Sequence, residues 1–166
     1  MMQSDEGKAT VKKTCLERYG VESYVQSDDY RSKAHSKYFF DERYFDSMPE
    51  VAMYIYLKEH DIQFEYKPSV DFWYVHDNRS HRYFPDFKVN GVLIELKGKQ
   101  FLKEDGTWQN PYDHSQDALY EAKRQCALQN NVKILYSSDY KKYVDYVKMK
   151  HGASFLKKLK VKKAKA

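Results

Sequence analysis

The spacing of apolar and polar residues predicts short strands placed between helices. A largely buried helix is expected over residues 48–60, where Ser47 and Glu50 have the spacing of a capping box. Apolar positions at helical spacing predict two more helices, over residues 114–130 and 139–150. Runs rich in aromatic and β-branched residues predict strands at 64–66, 72–75, 82–89, 92–96 and 132–136. Four of these strands lie between the first two helices, and we interpret the middle of the chain as a core with the element order αβββαβ.

One predicted hairpin carries most of the chemical information. Asn90-Gly91 is a strong signal for a two-residue turn, and such a turn places Asp86 directly opposite Glu95. Residues that face each other across a ladder share one side of the sheet, and alternation along the strand adds Lys97 to that side. The other side is uniformly apolar and is expected to pack on a helix; it carries Phe87, Val89, Val92, Ile94 and Leu96.

Two carboxylates that face each other repel, so this pair requires compensation. A divalent cation such as Mg²⁺ or Mn²⁺ would supply it, because hard cations prefer carboxylate oxygens. Two alternatives remain open on the residues alone. Lys97 can relieve the repulsion without a metal, or the charged side of the hairpin can face water.

The motif around this hairpin resembles that of a known enzyme family. Pro85-Asp86, followed after eight residues by Glu95-Leu96-Lys97, is similar to the signature of the PD-(D/E)XK, or restriction-endonuclease-like, nucleases. The resemblance covers about residues 47–136, and the family's core has the same αβββαβ order. It implies an α/β fold with a mixed sheet flanked by helices, and metal-dependent hydrolysis of phosphodiesters to 5′-phosphate and 3′-hydroxyl ends.

The resemblance also implies roles for individual residues. Asp86, Glu95 and the carbonyl of Leu96 would bind Mg²⁺ or Mn²⁺, and the ion would activate a water and neutralise charge on the scissile phosphate. Lys97 would orient or deprotonate that water and stabilise the pentacovalent state. Each of these roles is an expectation that depends on the motif match.

Two helices offer auxiliary residues. Many family members carry an extra acid on the first core helix, where this chain has Glu50 as a candidate catalytic residue and metal ligand. The alternative for Glu50 is the capping box with Ser47, which would keep its side chain away from a metal. On the later helix the preferred auxiliary residue is Lys123, which shares a face with Gln116 and Tyr120. A solvated helix face is the alternative there.

The expected organisation has three parts: a helical arm at residues 1–46, a nuclease core at 47–150 and a basic tail at 151–166. The chain has a formal charge of +5, and the tail contains six lysines and no acid, which leaves residues 1–150 at a net −1. Basic tails bind polyanions through counterion release, although a frayed, solubilising terminus is the alternative.

The arm, too, resembles something known. Residues 13–22 are similar to short helical modules that accompany phage and mobile-element endonucleases, although a helix packed on the core is equally compatible. The candidate contacts to nucleic-acid phosphates are Lys12, Lys13, Arg18, Arg31, Lys33, Lys157, Lys158 and Lys160.

Several other classes are excluded by what the sequence lacks. Cys15 and Cys126 show neither metal spacing nor a disulfide framework, which favours a reducing, cytoplasmic location. No apolar run approaches the length of a membrane span, and the first residues do not form a signal peptide. Neither a zinc motif, a nucleophilic triad nor a Gly-rich phosphate loop is present, so no small-molecule cofactor is expected.

These observations predict a DNA endonuclease of a phage or mobile element. A homodimer is expected if both strands are cut, since one chain offers one centre. The alternatives are an RNA- or structure-specific nuclease that acts on junctions or flaps, a non-catalytic nucleic-acid-binding protein, and a structural α/β domain.

Overall fold

The computed structural model describes residues 37–161, together with residues 13, 14 and 17. The described chain forms two compact units, one of residues 62–140 and the other of residues 37–61 and 141–161. The strands are β1 Tyr38–Phe40, β2 Arg43–Phe45, β3 Phe64–Tyr66, β4 Phe72–His76, β5 Arg79–Tyr83, β6 Phe87–Val89, β7 Val92–Leu96 and β8 Lys133–Leu135. The helices are α1 Met48–Glu59, α2 Asp117–Gln129, α3 Ser137–His151 and α4 Phe155–Lys158.

The fold is α/β, with a four-stranded mixed sheet in the unit of residues 62–140. The strand order is β3-β6-β7-β8, in which β3, β6 and β7 are antiparallel neighbours and β8 is parallel to β7. Helix α2 lies between β7 and β8 along the chain, as a parallel connection requires. The predicted αβββαβ order is present as α1-β3-β6-β7-α2-β8, with the β4-β5 hairpin inserted between β3 and β6.

The strand predicted over residues 82–89 is divided in two. Strand β5 ends at Tyr83 and pairs with β4 in a separate two-stranded sheet, whereas β6 begins at Phe87 in the main sheet. Pro85 lies between them, buried, and it has no N–H to donate to a ladder. The prediction of one continuous strand was therefore wrong at the proline.

The register of the key hairpin is confirmed as far as Phe87. Asn90 and Gly91 have φ values of 48° and 82°, the two positive angles of a type I′ turn. The ladder pairs Val89 with Val92, Lys88 with Leu93, and Phe87 with Ile94. This turn sets the register of β6 and β7. The motif residues Asp86, Glu95 and Lys97 lie at the other end of the hairpin, away from the turn.

Helix α2 covers the side of this hairpin that carries Leu93 and Glu95. Its buried residues Cys126 and Ala127 form a cluster with Tyr83 of β5, against which Leu93 also packs. Leu93 alternates with Glu95 on one side of β7, so α2 lies on the side that carries the acid. On the opposite, apolar side Phe87, Ile94 and Leu96 are buried, whereas Val92 is 45% exposed. The expectation that this side packs on a helix stays a prediction.

The segment between Gly98 and Asp113 is a folded loop over this side of the hairpin. A 3₁₀ turn at Lys99–Phe101 is followed by a β-bridge between Leu102 and Trp108. Trp108 is completely buried, and its backbone N–H donates to Glu121 of α2.

In the unit of residues 37–61 and 141–161, α1 begins as predicted. Ser47 caps the helix, and the Glu50 carboxylate accepts the backbone N–H of Ser47, so the capping box is complete. The described part of the predicted tail is folded: Leu156 of α4 is buried, and Val161 N–H donates to Lys37 O. In the part of the chain that the structure describes, no helix has the length and apolar character needed to span a membrane.

Candidate active site

Asp86 lies at the point where the β6-β7 ladder ends, and it is 6% exposed. Its backbone N–H donates to Ile94 O at 3.0 Å, and its Oδ2 accepts the backbone N–H of Leu96 at 2.9 Å. Its carboxylate therefore takes the place of a backbone acceptor for Leu96. The regular pair with Glu95 that the sequence predicts is replaced by this side-chain contact.

Lys67, immediately after β3, holds Asp86 through two contacts. The Lys67 Nζ is 2.8 Å from Asp86 Oδ1, and the Lys67 backbone N–H donates to Asp86 O at 2.8 Å. Lys67 has a φ of 49°, in the left-handed region that non-glycine residues rarely adopt. Such strain persists only where neighbouring contacts hold the residue in place, as these two contacts do.

Glu95 of β7 is 3% exposed and is surrounded by donors. The Tyr83 hydroxyl donates to Glu95 Oε2 at 2.9 Å, while the Nζ atoms of Lys97 and Lys123 lie 3.5 and 3.7 Å from Oε1. Burial, and then the charge of Glu95, raises the pKa of Tyr83 above its ordinary value. Tyr83 therefore remains protonated and acts as a donor to the carboxylate.

Lys97 is held in an aromatic environment. Its Nζ lies 4.3 Å from the ring centroid of Trp108 and 4.9 Å from that of Phe101, distances at which an ammonium is attracted to a ring face. Burial, followed by the charge of Lys123, lowers the pKa of Lys97 below its ordinary value. A lysine in this state loses its proton more readily than one in water, while the two rings keep its ammonium beside Glu95.

The site carries more positive than negative charge. Lys67, Lys97 and Lys123 contribute three ammonium groups, and Asp86 and Glu95 contribute two carboxylates. Both carboxylates act on the pKa of Lys97 and on that of Tyr83, so they lie within electrostatic reach of the same groups. The excess of one positive charge favours an anion such as a phosphodiester.

The donor set fits a magnesium ion in one particular way. Within the described residues no group of three His, Cys, Asp or Glu side chains converges on a possible metal position. Asp86, directly before β6, and Glu95 of β7 supply two buried carboxylates. Mg²⁺ commonly binds through one or two carboxylates and keeps water and substrate phosphate as its remaining ligands. The site therefore fits Mg²⁺ bound together with a phosphate better than a cage made of protein ligands alone.

No family model, curated protein or solved structure matches this chain. The resemblance to PD-(D/E)XK nucleases therefore stays an expectation that depends on the motif in the sequence.

The structure brings together five of the predicted site residues, all in the unit of residues 62–140: Asp86, Glu95, Leu96, Lys97 and Lys123. Glu50 belongs to the other unit, where it completes the capping box, and its role as a metal ligand stays a prediction. Lys13 and the lysines at 157, 158 and 160 are exposed. The remaining candidate phosphate contacts lie outside the described residues: Lys12, Arg18, Arg31 and Lys33.

Four contributors to the site were not foreseen: Lys67, Tyr83, Phe101 and Trp108. Lys67 follows a short strand and precedes Pro68, a context that carries no chemical signal. Tyr83 was predicted to lie in one strand with residues 84–89. Its actual position at the end of β5, from which its hydroxyl reaches Glu95, was therefore not anticipated. Phe101 and Trp108 were the best available clues, since large apolar residues inside a mostly polar loop indicate that the loop folds back on the core.

Proposed function

We propose that this protein is a metal-dependent DNA endonuclease that leaves 5′-phosphate and 3′-hydroxyl ends. The observation that carries the proposal is two buried carboxylates, Asp86 directly before β6 and Glu95 on the neighbouring β7, with the buried Lys97 beside Glu95. Burying two acids is costly unless a function or strong compensation maintains them. The motif match gives this arrangement a specific chemical interpretation.

Asp86 and Glu95 would hold Mg²⁺ or Mn²⁺, with the carbonyl of Leu96 as a further oxygen ligand. When bound, the ion supplies Lewis-acid activation of a water and neutralises charge on the phosphate. Tyr83 keeps Glu95 oriented by donating to Oε2, which leaves Oε1 directed toward the lysines. Glu95 is thereby preorganised rather than recruited when substrate arrives.

Lys97 and Lys123 would act on the phosphate. The lowered pKa of Lys97 brings its Nζ closer to the range in which it can exchange a proton with an attacking water. Lys123 extends from α2 with its side chain one-third exposed, so it can meet a phosphate oxygen that approaches from solvent. Trp108 and Phe101 limit the positions that the Lys97 ammonium can take.

A nucleic acid is the proposed partner because of the distribution of charge. The exposed Lys157, Lys158 and Lys160 belong to a segment with no acid, and the candidate site has a positive excess. Phosphate contacts by such lysines position a protein on a duplex without reading sequence. A homodimer for cutting both strands stays part of the proposal.

The direct test is cleavage of plasmid, linear and branched DNA by the full chain, with RNA alongside, in Mg²⁺ and in EDTA. Asp86→Asn and Lys97→Met should abolish cutting and retain binding. Glu65→Gln, an exposed acid on β3 of the same sheet, is the matched control and should cut normally. Cleavage that persists in EDTA or in Asp86→Asn would refute the proposal.

The same assay separates the alternatives. If the protein cleaves only RNA, or only branched DNA, and Asp86→Asn and Lys97→Met abolish that cleavage, the active site is as proposed but the substrate is RNA or branched DNA. Binding without cleavage in Mg²⁺ and Mn²⁺ would indicate a nucleic-acid-binding protein that lacks catalytic activity.

A further inference from the structure

We propose that Lys67 is a built-in counter-ion of the metal site. In the metal-free protein its ammonium would occupy Asp86 Oδ1, and it must leave that oxygen before a divalent cation binds there. The side chain of Lys67 would thus lower the metal affinity of the site. This inference rests on the proposed function, because it assumes that Asp86 is a metal ligand.

The ion pair between Lys67 and Asp86 is short and largely shielded from water. The Lys67 Nζ lies 2.8 Å from Asp86 Oδ1, and the two side chains are 17% and 8% exposed. A pair shielded from water to this degree is screened far less than a surface ion pair. Lys67 is therefore a strong competitor for this oxygen, unlike most lysines on protein surfaces.

The other carboxylate oxygen of Asp86 is already engaged in a hydrogen bond. Its Oδ2 accepts the backbone N–H of Leu96 at 2.9 Å, a bond formed within the fold of the hairpin. A cation that approaches Asp86 through Oδ1 meets the Lys67 ammonium at the same atom. Two positive charges within about 4 Å repel strongly in a partly buried site, so the ammonium has to move away.

The backbone of Lys67 is held beside Asp86 independently of the ammonium group. The Lys67 N–H donates to Asp86 O at 2.8 Å, and the residue is held at a φ of 49°. These contacts belong to the main chain, so a substitution at position 67 leaves them in place. The change in metal affinity can therefore be assigned to the ammonium group alone.

Calorimetric titration of the full chain with Mn²⁺ tests this inference. Lys67→Met should bind Mn²⁺ about tenfold more tightly than the wild type, and Lys67→Gln should also bind more tightly. The matched control is Lys103→Met, because Lys103 Nζ lies 3.5 Å from Asp117 Oδ2 rather than beside a site carboxylate. Its affinity should equal that of the wild type, while Asp86→Asn should lose binding.

A thermal melt in EDTA adds a readout that needs no metal. Lys67→Met should melt below the wild type in EDTA, because it leaves Asp86 without its counter-ion, and this loss should shrink in the Asp86→Asn background. Mn²⁺ should raise the melting temperature of Lys67→Met more than that of the wild type.

The outcomes separate this inference from the proposed function. If the wild type binds Mn²⁺ through Asp86 but both Lys67 variants bind equally or more weakly, the counter-ion role is refuted and the nuclease proposal stands. If neither the wild type nor Lys67→Met binds Mn²⁺, both are refuted. If Lys67→Met does not fold, the result of Lys67→Gln decides in the same way.

Discussion

The hydrogen bond from Tyr83 to Glu95 gives the sharpest prediction about what stabilises the site. Tyr83→Phe removes only the hydroxyl oxygen, and the ring keeps its place in the cluster with Cys126 and Ala127. The donor is completely buried and its carboxylate acceptor is 3% exposed, so little water can replace the lost bond.

The expected magnitude follows from the charge on the acceptor. A hydrogen bond to an ionised group contributes about 1.5–3 kcal/mol, so Tyr83→Phe should lower the free energy of unfolding by roughly 2 kcal/mol. For a chain of this length that loss corresponds to a fall of about 4–8 °C in the melting temperature. In a Glu95→Gln background the acceptor is neutral, and the same substitution should cost about 1 kcal/mol.

The assay is guanidinium unfolding followed by tryptophan fluorescence. Both tryptophans, Trp73 and Trp108, lie in the unit of residues 62–140, so the signal reports on the unit that contains Tyr83. The matched control is Tyr112→Phe, since Tyr112 is 79% exposed and its loss should stay within about 0.5 kcal/mol. A cost for Tyr83→Phe no larger than that of the control would refute the assigned role of Tyr83.

Three further outcomes are expected. The pKa of Lys97 is lower in the folded protein than its ordinary value of 10.5 in the unfolded chain. Below the folded-state pKa, the buried ammonium therefore lowers the free energy of unfolding. This loss of stability is relieved as the pH rises from the folded-state pKa toward 10.5, because the folded protein releases the proton first. The free energy of unfolding, measured across this pH range, should therefore rise in the wild type relative to Lys97→Met. If the two proteins show the same dependence on pH, the lowered pKa of Lys97 is contradicted. Gly91→Ala should cost about 1 kcal/mol in urea unfolding, because its φ of 82° is strained for alanine although nothing lies within 4 Å of the added carbon; no loss would contradict the type I′ turn. Ser47→Ala and Glu50→Gln should each cost about 0.5–2 kcal/mol by weakening the cap of α1, and only Glu50→Gln should also reduce cleavage if Glu50 is a metal ligand.

The local features of the fold were predictable because they depend on local rules. The Asn90-Gly91 turn set the register of β6 and β7, and the Ser47 and Glu50 spacing predicted the start of α1. Both signals act within a few residues and need no knowledge of the rest of the chain.

The remaining features depend on contacts between distant residues. Lys67 and Asp86 are 19 positions apart, and no periodicity links them. The side of the hairpin that α2 covers depends on where the β4-β5 hairpin packs, and an alternating pattern cannot specify that. Apolar spacing therefore anticipated neither the side that α2 covers nor the contact between Lys67 and Asp86.

The site itself was half predictable for the same reason. The motif named Asp86, Glu95 and Lys97, which share one hairpin, and Lys123 followed from the resemblance. The aromatic contacts of Lys97 come from a loop whose path a sequence pattern does not reveal, so Trp108 acquires its role only in the folded structure.

The central claim is that Asp86 and Glu95 together bind a divalent cation. A crystal of the full chain soaked in Mn²⁺ tests it most directly, through the anomalous signal of the metal. The account predicts a peak within coordination distance of both carboxylates, with the Lys67 ammonium moved away from Asp86 Oδ1. A crystal that shows no anomalous peak at these two acids under saturating Mn²⁺ would contradict it.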